Sequence, residues 1–252
     1  MTLRIRALDL LPPIVWKVAR NLRRSKRPGL NGLDTLLETH LDTSRPGFFV
    51  ELGANDGYSQ SNTWFLEKEF GWRGVLIEPS PAEFVHLRRN RSKDNCFFCA
   101  ACVDFGYAEA FVRMRYSGLM TVTDGDTDLP HGTKAHTESG RRFLPDGVEP
   151  FDFAAIARPL QSILDDSRAP SCVDLLSLDV EGFELSVLRG VDHERTRFRH
   201  LLIESRSPDE LDRYLASHGY ALVDRLSHHD YLYRDERSSD PVPARVSGRD
   251  EA

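Results

Sequence analysis

Apolar residues in this chain fall in short continuous runs, separated by stretches with helical spacing. Seven runs predict strands at 48–52, 74–78, 96–103, 175–179, 201–204, 221–226 and 231–234. Strands covered on both faces read as near-continuous apolar runs rather than strict alternation. Helical patterns lie between them at 62–70, 81–90, 183–189 and 208–218. The last opens at Ser207, a residue suited to an N-cap, and closes at Gly219. Alternation of strand and helix predicts an α/β fold with a doubly wound, mostly parallel sheet. The final two strands are separated only by 227–230, so they pair as a C-terminal antiparallel hairpin.

The middle of the chain breaks this rhythm. Residues 111–123 suggest an extended excursion, and 124–146 is rich in Gly, Asp, Thr and His with little periodicity. A long structureless stretch in a compact domain is usually functional or disordered. The segment 111–150 is therefore read as an insertion or lid that shapes a substrate site. Three regions follow: a basic N-terminal arm at 1–45, one domain at 46–234, and a polar, disordered tail at 235–252.

The first chemical signal is FFVELGANDGYSQSN, residues 48–62. A strand runs into Glu51, Gly53, Ala54, Asn55 and Gly57, and then into a helix. The glycines allow a tight turn and close approach of backbone to a ligand. Neither a GxGxxG nor a GxxxxGK[ST] pattern is present, which argues against a dinucleotide loop and a P-loop. An acid at the strand end repels a pyrophosphate and suits a ligand carrying an ammonium and a sulfonium. The second signal is GVLIEP, where Glu78 ends the next strand, 27 positions after Glu51, followed by Pro79. A carboxylate there can accept from both ribose hydroxyls. The alternative is that Glu51 and Glu78 cap helices or pair with arginines. The third signal is LLSLDVEGFELSVLRG, residues 175–190. Asp179 and Glu181 face the same crevice and could hold a metal, act as base or orient a ligand. Helix N-terminal electrostatics explains such acids equally well for Glu184.

Together, ELGANDG, LIEP and SLDVEGFELSVLRG resemble the FkbM family of S-adenosylmethionine-dependent methyltransferases, with matching segments from about Gly47 to Tyr233. The resemblance implies a seven-stranded, Rossmann-like class I methyltransferase sheet and O-methylation of sugars or other natural-product hydroxyls. It implies S-adenosyl-L-methionine as cofactor, with Glu51, Gly53, Ala54, Asn55 and Gly57 in its loop. Glu78 and Pro79 would lie at the ribose, Ala101 near the adenine, and Asp179 by the methyl-donor end.

An alcohol is a weak nucleophile, so its methylation calls for a base or a metal. Asp179 and Glu181 are one source. Glu204, ending the strand LLIES, can meet Asp179 across the crevice and resembles the carboxylate metal cluster of some small-molecule O-methyltransferases. Ser205 is a poor further ligand, so a metal-free site is favoured; a divalent ion, if any, would use Asp179 and Glu204. His228 and His229, in the final hairpin turn, are candidate bases because histidine titrates near neutrality. Tyr116, Gly118, Leu119 and Met120 are candidates for the acceptor wall.

Charge and cysteine usage refine the picture. The formal net charge is −6, yet residues 1–28 carry eight Lys/Arg against Asp9, a balance of +7. Nucleic acid is not an expected partner. The apolar stretch 8–18 is too short and interrupted to span a bilayer, and no secretory cleavage pattern follows it. Such an arm can touch an anionic membrane; docking on its own domain is the reading adopted. Cys96, Cys99 and Cys102 lie on one predicted strand, which would set the outer two about 20 Å apart and turn Cys99 to the other face. They are read as core residues of a cytoplasmic protein. Two other readings stay open: an NAD-dependent enzyme on a similar sheet, and a non-catalytic adaptor that keeps the fold.

Overall fold

Successive residues of a strand point to opposite faces, and here both faces are buried. In β1 (Phe48–Leu52), Phe49 packs with Phe65, Trp72 and Leu87, while Val50 and Leu52 pack on the other side with Ile163, Val187 and Leu188. The same division runs through β2 (Arg73–Ile77), where Leu76 opposes Val75 and Ile77. This double burial is the physical source of the continuous apolar runs. The computed structural model describes residues 25–123, 137–144 and 147–238.

The main sheet is completed by β3 (Cys96–Phe98), β8 (Cys172–Leu178), β9 (Arg197–Glu204), β10 (Tyr220–Arg225) and β11 (Asp230–Asp235). Its order is β10-β11-β9-β8-β1-β2-β3. All neighbours are parallel except β11, which is antiparallel to both β9 and β10. The helices are α1 (Leu33–Glu38), α2 (Trp64–Phe70), α3 (Pro81–Asn90), α4 (Leu160–Ser167), α5 (Glu184–Arg189) and α6 (Pro208–Ser217). Ser80 caps α3 by accepting from Glu83 N, with Pro81 at the first turn. Ser207 holds the N-cap position of α6 but makes no side-chain cap bond.

The predicted strand 96–103 is two strands in two sheets. β3 pairs with β2, and β4 (Ala101–Val103) pairs with β7 (Phe151–Pro159) in a second sheet, which continues from β7 to β5 (Phe111–Tyr116) and β6 (Val122–Thr123). The last link to β2 is Glu78 N donating to Phe98 O at 3.1 Å. The next N–H on that side of β2, Ser80 N, donates instead to Glu78 Oε1 at 2.8 Å, and the chain departs at Cys99. The core reading of the cysteines accordingly holds for Cys102, which is buried; Cys96 and Cys99 are half-buried, and all four thiols are free.

The expected excursion at 111–123 forms β5 (Phe111–Tyr116), a 3-10 turn (Gly118–Met120) and β6 (Val122–Thr123), while 124–136 and 145–146 lie outside the described residues. β7 and α4 fill a region where the sequence suggested no element. The described part of the arm also differs. Leu33, Leu37 and Leu41 are buried beside Phe49 and Trp72, so 33–41 belongs to the domain core. Residues 1–24 are outside the described residues, as are 239–252. The domain runs past the expected boundary at 234, because Asp235 is buried and paired with Arg197 at the end of β11. Among the described residues no helix is long and apolar enough to cross a membrane.

Candidate active site

The carboxyl ends of β1, β2 and β8 open into one cavity, as the topology of an open α/β sheet requires. Gly53 leaves β1 with φ +71°, and a Cβ there would lie 1.9 Å from the Asp179 carbonyl oxygen. No other residue type lets the β1 and β8 ends approach so closely. Gly53→Ala is expected to cost about 2–4 kcal/mol from the clash and the left-handed backbone together, measurable by denaturant unfolding. A cost below about 1 kcal/mol would show that the two ends separate easily. A Cβ on Gly57, φ +76°, would lie 2.6 Å from Leu87 Cδ1 and 2.8 Å from Arg91 Cγ, both side-chain atoms.

Glu78 follows β2 and is buried. Its Oε2 accepts from Asn55 N and its Oε1 from Ser80 N, both at 2.8 Å. Burial pushes its pKa up to about 7, while the two N–H donors pull the other way. Each carboxylate oxygen keeps a further lone pair. Ala100, Ala101 and Cys102 continue the wall beyond Pro79.

At the other end three acids meet. Asp179 follows β8 and Glu204 ends the adjacent parallel strand β9. One carboxylate oxygen from each of Asp179, Glu181 and Glu204 lies within 4.8 Å of the others. Burial and then Glu204 raise the Asp179 pKa well above the usual carboxylate range. Burial and Glu204 push Glu181 up to about 8 against the pull of Arg206. Glu204 is raised by burial and Asp230, and is hydrogen-bonded to Asp179. Arg206 stands 3.5 Å from Glu181 and 3.9 Å from Glu204. Glu184 accepts from Gly182 N at 3.0 Å and is pushed up to about 7 by burial. Glu181 itself has φ 55°, which swings it onto the cluster side of the loop. One guanidinium cannot balance this charge, so the carboxylates retain protons or await a cation.

A family model described as the methyltransferase FkbM domain matches residues 51–222. The chain belongs to the FkbM methyltransferase family. The matched segment is a methyltransferase domain and not an NAD-dependent one. No curated protein matches the chain. Among solved structures it is similar to the METTL16 MTase domain, with 11% identity over 80% of this chain and 63% of that one, TM-score 0.42. This chain thus spans less than two thirds of that structure. It is also similar to a precorrin-6y C5,15-methyltransferase from Geobacter metallireducens GS-15, with 13% identity over 83% and 90%, TM-score 0.41. A third is a methyltransferase from Thiobacillus denitrificans in complex with S-adenosyl-L-homocysteine, with 10% identity over 85% and 73%, TM-score 0.35.

The chemistry of the cavity of this FkbM-family methyltransferase is compatible with S-adenosylmethionine. The two Glu78 oxygens are each able to accept from a ribose hydroxyl. The acid cluster complements a sulfonium and an ammonium. Asn62 lines the cavity, and its Oδ1 is buried with no donor among the described residues.

Most residues singled out in the sequence converge here: Glu51, Gly53, Ala54, Asn55, Glu78, Pro79, Ala101, Asp179, Glu181 and Glu204 all line the cavity. Gly57 lies behind the loop against α3. Gly118, Leu119 and Met120 form part of the wall as expected, but Tyr116 does not; its hydroxyl donates to Glu83 at 2.6 Å. His228 and His229 sit in the hairpin turn and do not line the cavity. His229 is made less basic by burial and by Arg206. The turn is drawn to the rim by its backbone alone, Ser205 N donating to His229 O at 2.8 Å. Ser205 Oγ accepts from Ser207 N, and Glu181 supplies the third oxygen of the cluster instead.

Sequence reading missed Arg206, Asn62, and the pair Arg142 and Phe143, all of which line the cavity. It also missed that Glu51 is saturated by protein donors. Its partners are Ser61, Thr63, Asn62 N and Arg91. For Glu51 the alternative of pairing with an arginine is the one observed. The hydroxyls of Ser61 and Thr63 ahead of α2 were a visible signal; Arg91, forty positions away, was not.

Proposed function

We propose that this enzyme methylates a hydroxyl group of a sugar or natural-product-like small molecule. The acid cluster at the methyl-donor end of the cavity supports this reading above all. A hydroxyl must lose its proton as it attacks, and a carboxylate held near neutrality by its surroundings is matched to that task. When bound, S-adenosylmethionine supplies the methyl group at its sulfonium centre. Glu78 accepts from the ribose hydroxyls. Asp179 and Glu204 share a proton and face the positive charge. Glu181, the remaining acid, accepts the hydroxyl proton, with Arg206 steadying its ionised form. Gly118–Met120, Thr121 and Phe143 wall the acceptor side and exclude water. The off-cavity position of His228 and His229 favours a carboxylate over a histidine base.

A divalent ion on Asp179, Glu181 and Glu204 is the competing arrangement, supported by the closeness of their oxygens. The test is incubation with S-adenosylmethionine and a panel of hydroxylated and glycosylated acceptors, read by mass spectrometry for one added methyl. Transfer that survives exhaustive chelation supports the carboxylate base; transfer lost on chelation and restored by magnesium establishes the ion. Binding of S-adenosylhomocysteine without transfer to any acceptor returns the adaptor reading. Substituting both His228 and His229 by Gln is expected to leave turnover within about threefold of wild type, against the roughly hundredfold or greater loss of a true base.

A further inference from the structure

We propose that Arg91 is the positioning residue of the cofactor loop, and that Glu51 acts through it rather than as a direct partner of the cofactor's ammonium. The proposal rests on the S-adenosylmethionine reading above and deepens it.

Between Leu52 and Trp64 the chain has no helix or strand. This is the segment that supplies Gly53, Asn55 and Asn62 to the cavity. Its shape must therefore come from individual hydrogen bonds. Arg91 stands immediately after α3 with its side chain fully buried. Nη1 donates to Glu51 Oε2 at 3.1 Å, to Ser61 Oγ at 3.1 Å and to Gly57 O at 3.4 Å. Nη2 donates to Thr63 Oγ1 at 2.9 Å. Four partners, spread from one end of the loop to the other, thus converge on one rigid planar group. Nε donates to Glu67 Oε2 at 2.7 Å and ties the arrangement to α2. The preceding residue adds a further tether, Asn90 Nδ2 to Asp56 O at 2.6 Å. A lysine could supply the charge but not the fork that reaches Glu51, Ser61 and Thr63 together.

The lone pairs of Glu51 decide its part. Oε1 accepts from Ser61 Oγ at 2.9 Å and Asn62 N at 3.2 Å; Oε2 accepts from Thr63 Oγ1 at 2.7 Å and from Arg91. A carboxylate offers about four acceptor sites, and protein donors take them. A ligand ammonium would have to displace one and leave a buried donor unpaired. Asn62 is the opposite case, with an amide oxygen in the same wall that has no donor among the described residues. Glu51 and Arg91 therefore form a buried frame that presents Asn62 and Asn55 to the ligand.

Arg91→Lys tests this, with S-adenosylhomocysteine affinity by calorimetry, the KM for S-adenosylmethionine, kcat at saturating cofactor, and the thermal midpoint. Cofactor Kd and KM should rise tenfold or more, roughly one lost charged hydrogen bond's worth, while kcat stays within about threefold because no reacting group is touched. Leu215→Ala, in the buried face of α6 remote from the loop, should lower the midpoint without moving Kd. Thr63→Val, which deletes one spoke of the frame, should raise Kd by a few fold and serves if Arg91→Lys does not fold. Unchanged Kd in folded Arg91→Lys or Thr63→Val, or an equal Kd change in Leu215→Ala, overturns the proposal. Wild type failing to bind S-adenosylhomocysteine at all would instead strike the cofactor reading beneath it.

Discussion

Asp179→Asn is expected to lower methyl transfer by about a hundredfold or more while making the protein more resistant to heat above neutral pH. Both effects have one cause. Asp179, Glu181 and Glu204 crowd carboxylates into a corner with the Arg206 guanidinium nearby. Each has its folded pKa raised above the ordinary value, by burial first and by its acidic neighbours second. A group raised in this way contributes stability that is fully present below its unfolded pKa. That contribution is lost as pH rises through the folded pKa. For Glu181 the window runs from the usual carboxylate value to about 8. Removing the Asp179 charge relieves its two neighbours, so the gain should be absent near pH 4, grow toward pH 8 and be complete only above it. Its size is on the order of 1–3 kcal/mol, a shift of several degrees in the melting midpoint for a chain of this length. The catalytic loss follows from removing the charge that faces the donor methyl and sets the Glu204 proton. Thermal melts at the two pH values and steady-state kinetics measure both. An Asn variant that melts earlier at pH 8 would show that the cluster is already neutralised, and the like-charge account would be wrong.

Glu78→Gln should weaken S-adenosylhomocysteine binding about tenfold to a hundredfold at pH 8, because charged hydrogen bonds to two ribose hydroxyls are worth about 1.5–3 kcal/mol. Glutamine keeps the volume and one acceptor, so folding should survive. The pH dependence sharpens the test. Burial holds the Glu78 pKa at about 7, and the ionised form is the better ribose acceptor. Wild-type affinity should therefore climb as pH rises through about 7 and then level, and the Gln variant should lose that part of the climb. Titration calorimetry at pH 6 and pH 8.5 on both proteins reads the difference. Equal affinities for the two proteins across this range would remove Glu78 from the ribose site. Any remaining slope in the variant belongs to the acid cluster.

What the amino-acid order alone determined was the alternation of buried runs and helices, and with it the ends of β1, β2, β8 and β9, because burial on both faces of a sheet is written into consecutive apolar residues. Glycines and acids placed at those ends marked the loop that lines the cavity for the same reason: residues after a parallel strand open onto the crevice. The tertiary structure decided everything that depends on residues distant in sequence. Ser80 N turns onto the Glu78 carboxylate instead of continuing the β2 ladder, and the single apolar run at 96–103 divides between two sheets, a break visible only once β2 and β3 are side by side. His228 and His229 carry the right chemistry for a base, yet the antiparallel register of β11 on β9 leaves their rings off the cavity. Glu181, in contrast, is turned by a left-handed backbone into the company of Asp179 and Glu204. Glu51 read as a ligand acid because its position on β1 was right, but Arg91 reaches it from the end of α3. Local patterning selects the elements. Which charges meet, and which lone pairs stay free for a ligand, is settled only when those elements pack.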